Sequence, residues 1–366
     1  FNLSGGYNFV FGDIAYTPSM GITWEDIAFD QDRRYPFNET KNTDKYVFDV
    51  DEKQYGLFWD NDFLFGNKWG LKIGGRVDKV EVAFEDKVPQ KIDEDDTLYS
   101  WQVAPSYRLS PNANLYFSIG RNYWFPTPRY YAWAAEKGGD INRPENLEPE
   151  ETLTYEIGYK HMICKALNIN LTLYLAEYND KFGSAYDEDK TYLGQKNIGD
   201  AEARGIEVEL DGRPWQFVGY RFAGTWQDIE WTSGQMRIYE HPSNDKVMAD
   251  LDGYALYDIP EVSFTAGLDL YPTDGLKCSV DLNYTGSKYV DYLNRIDYDA
   301  KTTVDANISY RIKNWQFWVL GKNIFDKEIE RVSNSTGELT EAGGSYANAY
   351  YVQDGAYFEA GISYHY

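Results

Sequence analysis

The sequence predicts an all-β chain folded as an antiparallel, up-and-down transmembrane β-barrel with about fifteen strands present. Three observations carry that reading. Apolar and polar residues alternate with period two through run after run, and helical periodicity never takes hold. Tight turns rich in Gly, Asp, Asn and Pro alternate in strict succession with long polar loops, as in a barrel with short turns on one side of a membrane and long loops on the other. Aromatic residues make up 17% of the chain, including 33 Tyr and 11 Trp, side chains suited to a boundary between apolar and wet surroundings.

Taken in order, residues 1–12 and 14–28 flank a turn at Phe11-Gly12-Asp13, and a polar loop runs to about Glu52. Tyr55, Leu57 and Trp59 alternate before the turn at Gly66-Asn67, and Leu71, Ile73, Gly75 and Val77 alternate after it. The acidic run Lys91–Asp96 reads as the next loop. Residues 98–109 and 113–124 form a hairpin turned by Ser110-Pro111-Asn112-Ala113. Residues 151–162 pair with the clearest amphipathic strand, in which Ile169, Leu171, Leu173 and Leu175 share one face. Then come 196–211 and 215–231 around Gly212-Arg213-Pro214, 259–271 and 276–289 around Pro272-Thr273-Asp274-Gly275, and 301–312 and 315–327 around Lys313-Asn314. The final strand sets Phe358, Ile362, Tyr364 and Tyr366 on one parity, for lipid, and Glu359, Ser363 and His365 on the other, for the lumen. Strands of roughly 12 to 16 residues exceed both the soluble norm and the length needed to cross the hydrocarbon, so the hairpins should protrude beyond it.

Alternation alone does not distinguish a soluble sandwich from a barrel turned inside out in lipid. Charged residues at mid-strand (Arg76, Glu207, Glu209, Asp269, Asp281, Asp305, Arg311) face away from Leu, Val, Ile and Phe in either case. Strand length and number decide for the barrel, since an open sheet of so many long strands, with no helices to cover it, leaves exposed edges. Bacterial single-chain barrels have an even number of strands. An odd count with a downward last strand therefore predicts the C-terminal portion of a larger barrel.

The mean hydropathy is −0.60 and no run approaches 18 apolar residues, which rules out a helical membrane span. A net charge of −24 argues against a nucleic-acid partner. Cys164 and Cys278 are read as unpaired, and Phe1 already opens a strand-like run with no signal peptide before it. No Ser/His/Asp, zinc or phosphate-loop constellation is present, so no enzyme, cofactor or metal site is expected. The acidic runs Asp93–Asp96 and Asp187–Asp189 are read as solvated faces, with Ca²⁺ held by clustered carboxylates as the alternative.

Four segments, in order, resemble the TonB-dependent outer-membrane receptor family. Tyr123-Trp124-Phe125-Pro126-Thr127-Pro128 is similar to an aromatic strand ending in a Phe-Arg-Ala-Pro-like box, and Asn146-Leu147-Glu148-Pro149-Glu150 to an Asn-Leu-x-Pro-Glu box, followed by Tyr155-Glu156-Ile157-Gly158. Asn197-Ile198-Gly199 with Ala203-Arg204-Gly205-Ile206-Glu207 resembles the family's Asn-x-Gly, Ala-Arg-Gly-Val-Glu segment. Asn323-Ile324-Phe325-Asp326-Lys327 resembles Asn-Leu-Phe-Asp-Lys, and the aromatic terminus at Tyr366 resembles the barrel-insertion signal, with Tyr in place of the commoner Phe.

The resemblance implies a bacterial outer-membrane barrel of about 22 strands, of which residues 1–366 supply the C-terminal portion. The globular plug, the TonB-contacting box and the first strands then lie outside this sequence. It further implies active uptake of a scarce ligand, foremost a ferric siderophore, with cobalamin, an oligosaccharide or a passive porin as alternatives. The implied partners are the TonB complex through the plug, the lipid bilayer, lipopolysaccharide and the small-molecule ligand. Rim aromatics Tyr130, Tyr131, Trp133, Trp231, Tyr239 and Tyr254, with His241, are the candidate ligand contacts. Haem receptors of the family carry a His between the two boxes, and there is none between Phe125 and Asn146. Pro126, Pro128, Pro144 and Pro149 suit a rim where a ladder must end. Gly205 should ease close packing, and Arg204 and Glu207 should face the lumen.

Overall fold

A computed structural model of the chain describes residues 1–33, 46–86, 91–126, 147–186, 192–240, 245–295, 297–328, 330–333, 349–352 and 355–365. β-Branched and aromatic side chains alternating with polar ones give each segment one apolar and one wet face, and the segments pair as strands. β1 (Asn2–Gly6) and β2 (Phe9–Phe11) both pair with β3 (Ile14–Arg33). The chain then runs through β4 (Tyr46–Phe65), β5 (Trp69–Asp86), β6 (Lys91–Ser110), β7 (Ala113–Trp124), β8 (Glu150–Cys164), β9 (Leu167–Tyr186), β10 (Tyr192–Trp215) and β11 (Val218–Trp231). A small hairpin of β12 (Gln235–Glu240) and β13 (Asp245–Asp250) precedes β14 (Val262–Thr273) and β15 (Leu276–Thr285). A second, β16 (Lys288–Tyr289) with β17 (Asp297–Tyr298), precedes β18 (Lys301–Ile312) and β19 (Trp315–Lys322). A third, β20 (Glu330–Ser333) with β21 (Ala349–Val352), precedes β22 (Tyr357–Tyr364).

The long strands form a single sixteen-stranded antiparallel sheet in sequence order, with the three small hairpins outside it. Because β1 and β2 lie along the same side of β3, the sheet has fifteen positions, the number the turn pattern predicts. Among the described residues β1 pairs only with β3 and β22 only with β19, so both outer strands present an open edge. No helix among the described residues is long and apolar enough to cross a membrane.

Three expectations are corrected. Lys91–Asp96 are not a loop: they open β6, with Asp95 opposite Glu81 and Asp93 opposite Ala83. Lys79 lies 3.2 Å from Asp95 and offsets the acidic crowding there. The turn expected at Gly212-Arg213-Pro214 falls instead at Gln216-Phe217, because β10 continues to Trp215 through a register shift between Gly212 and Trp215. A bulge leaves a residue outside the ladder, so the missing Pro214 donor costs little there. β19 ends at Lys322 rather than Lys327, since Asn323 and Asp326 take positive φ values of 47° and 53° and turn the chain away. Strands are also longer than expected, reaching 24 residues in β10, because polar tips stay in the ladder.

The two faces separate cleanly. Met20, Ile22 and Trp24 in β3, Leu171 and Leu173 in β9, Val280 and Leu282 in β15, Ile308 in β18 and Val319 in β19 are all exposed. Phe358 (68% exposed), Ile362 and Tyr364 continue this face on β22, as their parity predicts. Tyr366 lies outside the described residues. Large apolar side chains left exposed as continuous rows across a whole sheet call for an apolar solvent. At the short-turn end aromatics cluster as a belt: Trp69 against Tyr107 at 4.5 Å, Tyr16 against Phe63 at 4.6 Å and Trp315 against Tyr364 at 4.8 Å. From Ile14 to Trp24, β3 rises ~33 Å along the strand, roughly 25 Å of height at a tilt near 40°, the thickness of an outer-membrane hydrocarbon band.

The face assignment has a direct test. Ile308→Lys should cost about 2–4 kcal/mol in unfolding measured in lipid vesicles, because a charge enters the hydrocarbon near its midplane. Asn307→Lys, one residue along on the other face, should cost far less, and equal costs would refute the assignment.

Candidate functional site

Two regions stand out, the wall of polar side chains opposite the lipid face and the outer rim where strands give way to long loops. On the wall two arginines are paired with carboxylates. Arg76 donates to both carboxylate oxygens of Asp78 at 2.5 Å and to Thr23 Oγ1 at 2.8 Å, and the Tyr123 hydroxyl donates to Asp78 as well. Asp78 is 2% exposed, and an unpaired carboxylate so buried would cost several kcal/mol. Nearby a cavity of about 540 Å³ is lined by Phe58, Asp60, Arg76, Gln102 and Glu156. Lower down, Arg221 sits between Asp269 at 2.7 Å and Asp281 at 2.5 Å, with Lys277 3.2 Å from Asp269. Glu207 and Glu209 share this face, beside a cavity of about 360 Å³. Arg204 does not: against the expectation that it faces the lumen, it stands opposite Leu175 and Asp228 on the same parity as Ile206 and Leu173, the apolar side, because only alternate residues of a strand share a face, and it bonds Asp228 at 2.6 Å. Such a wall can hold water and present charge. Among the described residues no three His, Cys, Asp or Glu side chains gather as a metal-ligand set.

At the rim the sequence motifs meet. The Asn197 side chain accepts a hydrogen bond from Glu148 N at 2.8 Å and donates to Glu148 O at 2.8 Å, closing a two-bond ring on one residue of the Asn-Leu-x-Pro-Glu box. It also donates to Asp180 O at 2.5 Å. Glu150 accepts from Phe182 N at 2.5 Å, and Asp200 accepts from Asp180 N at 3.0 Å. Asp200 and Ser233 bond each other twice, Asp200 N to Ser233 Oγ at 3.0 Å and Ser233 Oγ to Asp200 Oδ2 at 2.9 Å. Gly199 allows this approach, because a Cβ there would lie 2.3 Å from Ser233 O. Four segments, around residues 148, 181, 198 and 233, are thus tied together.

Beyond them lies an apolar nucleus of Trp231, Met236 and Leu251, flanked by Ile198, Leu256, Tyr292 and Leu293. It joins the two long loops that follow β11 and β15. Polar clips reinforce it: Asn294 exchanges two hydrogen bonds with the backbone of Ala255, and buried Asp291 accepts from Arg295 N at 2.8 Å and Nε at 2.9 Å.

The predicted ligand contacts divide accordingly. Trp231 is 3% exposed and forms the loop core, so the structure makes it a packing residue rather than an open rim aromatic. Tyr254 is 36% exposed beside it, with its carbonyl accepting from Trp231 N at 2.9 Å. Tyr239 lies in β12, paired with Lys246. Tyr130, Tyr131, Trp133 and His241 lie outside the described residues, as do Pro128 and Asn146.

Of the motif residues, Phe125 and Leu147 are buried, and Pro149 stands directly before β8. Gly205 lies opposite Tyr174, whose ring covers it so closely that a Cβ would fall 2.5 Å from the ring. Asn323 bonds Lys327 through both ends of its side chain, at 2.9 and 2.8 Å, while Asp326 accepts from Ala356 N at 2.8 Å. Phe325 is exposed. Both cysteines are free. Asn197 appeared in the sequence only as part of a motif. Its clasp role, and the Asp200–Ser233 pair, had no local signal, because their partners are more than thirty residues away.

With this geometry in view, comparison with known proteins identifies the family. The profile described as TonB dependent receptor-like, beta-barrel, matches residues 1–324. The chain belongs to the TonB-dependent receptor family. Its fold and location are those of a bacterial outer-membrane barrel. The ferrichrome outer membrane transporter/phage receptor of Escherichia coli (strain K12) is 25% identical over 288 residues, covering 75% of this chain and 34% of that protein. The iron-regulated outer membrane virulence protein of Vibrio cholerae is 20% identical over 334 residues, covering 86% of this chain and 44% of that one. The chain therefore spans between a third and a half of these relatives. Among solved structures, an unliganded ferric citrate transporter superposes with a TM-score of 0.75 at 15% identity, over 99% of this chain and 53% of that one. A siderophore receptor from Acinetobacter baumannii superposes at 0.73 and 16% identity, over 99% and 55%. These two establish the fold.

Two outcomes follow from the rim. Gly199→Ala should push the 231–234 segment away and speed amide exchange at Thr232 and Leu251, while exchange in the β4–β6 ladder stays unchanged; unaltered exchange at both loop amides would disprove the tie. Burial, with the carboxylates of Glu148, Asp200 and Glu151 nearby, raises the Asp180 carboxyl above its ordinary value of 3.8. Near the outer end of β9, this raised group contributes stability that is complete below 3.8 and lost as pH rises through its folded value. Rim protection, read by the same exchange experiment, should therefore weaken from pH 4 to pH 7 in the wild type and weaken less in Asp180→Asn.

Proposed function

We propose that this barrel serves active, TonB-dependent uptake of a ferric siderophore across the outer membrane. The observation that carries the reading is the 25% identity, over three quarters of the chain, to a protein named as a ferrichrome transporter. The architecture is compatible with it: a polar wall with paired charges suits a hydrated passage, and a rim tied into one unit holds loop surfaces in a fixed relation for capture of a ligand. Transport of this kind also requires a plug to gate the lumen and a contact with TonB, both of which belong to the full-length receptor rather than to these 366 residues. Tyr254 with Tyr130, Tyr131, Trp133, Tyr239 and His241 are the ligand contacts in this reading, and buried Trp231 anchors the backbone of Tyr254.

The experiment is growth of a strain lacking the full-length receptor on single iron sources, with uptake of radiolabelled ferric siderophores measured in parallel. Loss of growth and uptake on at least one ferric siderophore is expected, with rescue by the intact gene. Unimpaired growth on every iron source, together with impaired growth on cobalamin or a glycan, would replace the siderophore by that ligand.

A further inference from the structure

The ladder between β9 and β10 breaks twice within a few residues, between Asn197 and Gly199 and again between Gly199 and Ala201. Ile198 and Asp200 thereby fall outside the ladder, and a bulge re-aims the side chains that it frees. Four consecutive residues consequently take different neighbours. Asn197 bonds the backbone of Glu148 and of Asp180. Ile198 packs against the nucleus of Trp231, Met236 and Leu251. Gly199 lies against the backbone of Ser233 and Gly234, and Asp200 accepts from Asp180 N, Thr232 N and Ser233 Oγ.

The candidate ligand contacts fall on both sides of these four residues. In sequence, Tyr130, Tyr131 and Trp133 lie between Phe125 and Leu147, next to the Glu148 end, while Tyr239 and Tyr254 stand between β11 and β14, at the nucleus end. The nucleus end is braced in turn by the loop after β15. Ala255 N donates to Asn294 Oδ1 at 2.7 Å and Asn294 Nδ2 to Ala255 O at 2.9 Å, Asp258 N donates to Tyr289 O at 2.7 Å, and the Tyr257 and Tyr292 ring centroids are 4.6 Å apart. A continuous set of contacts therefore runs from Asn294 through Ala255, Trp231, Ser233 and residues 197–200 to Glu148. Gly199 leaves it no slack, since a single methyl group would not fit between that residue and the backbone of Ser233.

We infer that residues 197–200 couple the loops on either side of them, so that ordering the paired loops after β11 and β15 also orders the segment that ends at Glu148. The reverse holds as well, because coupling between two sites is reciprocal. Asn197, Ile198 and Asp200 are then positioning residues: they set the relation between the two groups of candidate contacts without touching the ligand. Every link lies within the described residues of this chain. The inference is independent of the siderophore reading, because it concerns the states of the loops whichever ligand they take.

The test is amide hydrogen exchange on the full-length receptor in detergent micelles, read at Glu148 N, whose acceptor is Asn197 Oδ1. Asn294→Ala, on the far side of the nucleus, should speed exchange at Glu148 by about threefold or more, within the range that mutations along a coupled network produce. Ser233→Ala removes a link between the two ends and should speed it too, and in that background Asn294→Ala should add nothing further at Glu148. In the opposite direction, Asn197→Ala should speed exchange at Leu256 and Asp258. Amides of the β4–β6 ladder should be unchanged in every variant, and far-UV circular dichroism verifies folding. If Asn294→Ala fails to insert, Tyr292→Leu loosens the same end and takes its place. Unchanged exchange at Glu148 in the variant at the far end, or effects of the two substitutions that multiply in the double variant, would overturn the proposal, because loops stiffened only locally respond independently.

Discussion

A backbone N–H or C=O within the hydrocarbon must find its partner inside the protein, because lipid offers none and each orphan costs several kcal/mol. That constraint explains why strands here run to twenty residues and more where a soluble sheet would stop near five or six. Local sequence features are subordinate to it. Pro214 is confined to a bulge and Pro126 and Pro149 to the ends of ladders, the places where a missing donor leaves nothing unsatisfied. Gly205 under the Tyr174 ring keeps the ladder regular while the sheet curves, since the aromatic supplies the contact that the glycine lacks.

Once the ladder is satisfied, the two faces are free to specialise. The lipid face carries rows of aliphatic side chains with an aromatic belt at the short-turn end, and stability there comes from matching the solvent rather than from a core. The opposite wall carries charges, and its arginines meet carboxylates there: Arg76 with Asp78, Arg221 with Asp269 and Asp281. A compact apolar nucleus sits at the outer end of the sheet, where Trp231 at the end of β11 meets Leu251 of the following loop.

The order of hairpins, the number of sheet positions and the side each strand offers to lipid were legible in the sequence, because all three depend only on period-two alternation and on turn residues with local requirements. Lys91–Asp96 was misread as loop because strand propensity penalises acids, whereas membership of the ladder was decided by the partner, β5, and by Lys79. Trp231 was read as an exposed rim aromatic because an aromatic next to a loop gives no sign of whether the loop folds back over it. The Asn197 clasp was invisible for a similar reason: nothing at position 197 announces that its amide fits the backbone of residue 148. The motifs that identify the family were legible as strings, but their physical role, holding rim segments together across some fifty residues of sequence, needed coordinates.

Under the proposed uptake of a ferric siderophore, the rim also bears on how an acidic receptor would capture an anionic or neutral chelate. Net charge acts over a distance set by salt, about 8 Å at physiological ionic strength, so distant carboxylates contribute little to a ligand held against a loop. What matters is the surface within contact distance and how little entropy is lost in ordering it. Here the Asn197 and Asp200 clasps and the Trp231 nucleus pay that ordering cost during folding, before any ligand arrives, and leave Tyr254 at the edge of a fixed platform. Aromatic faces and hydrogen-bond donors on such a platform discriminate by shape. Recognition can then be selective even though the field of the whole chain points the wrong way for an anion.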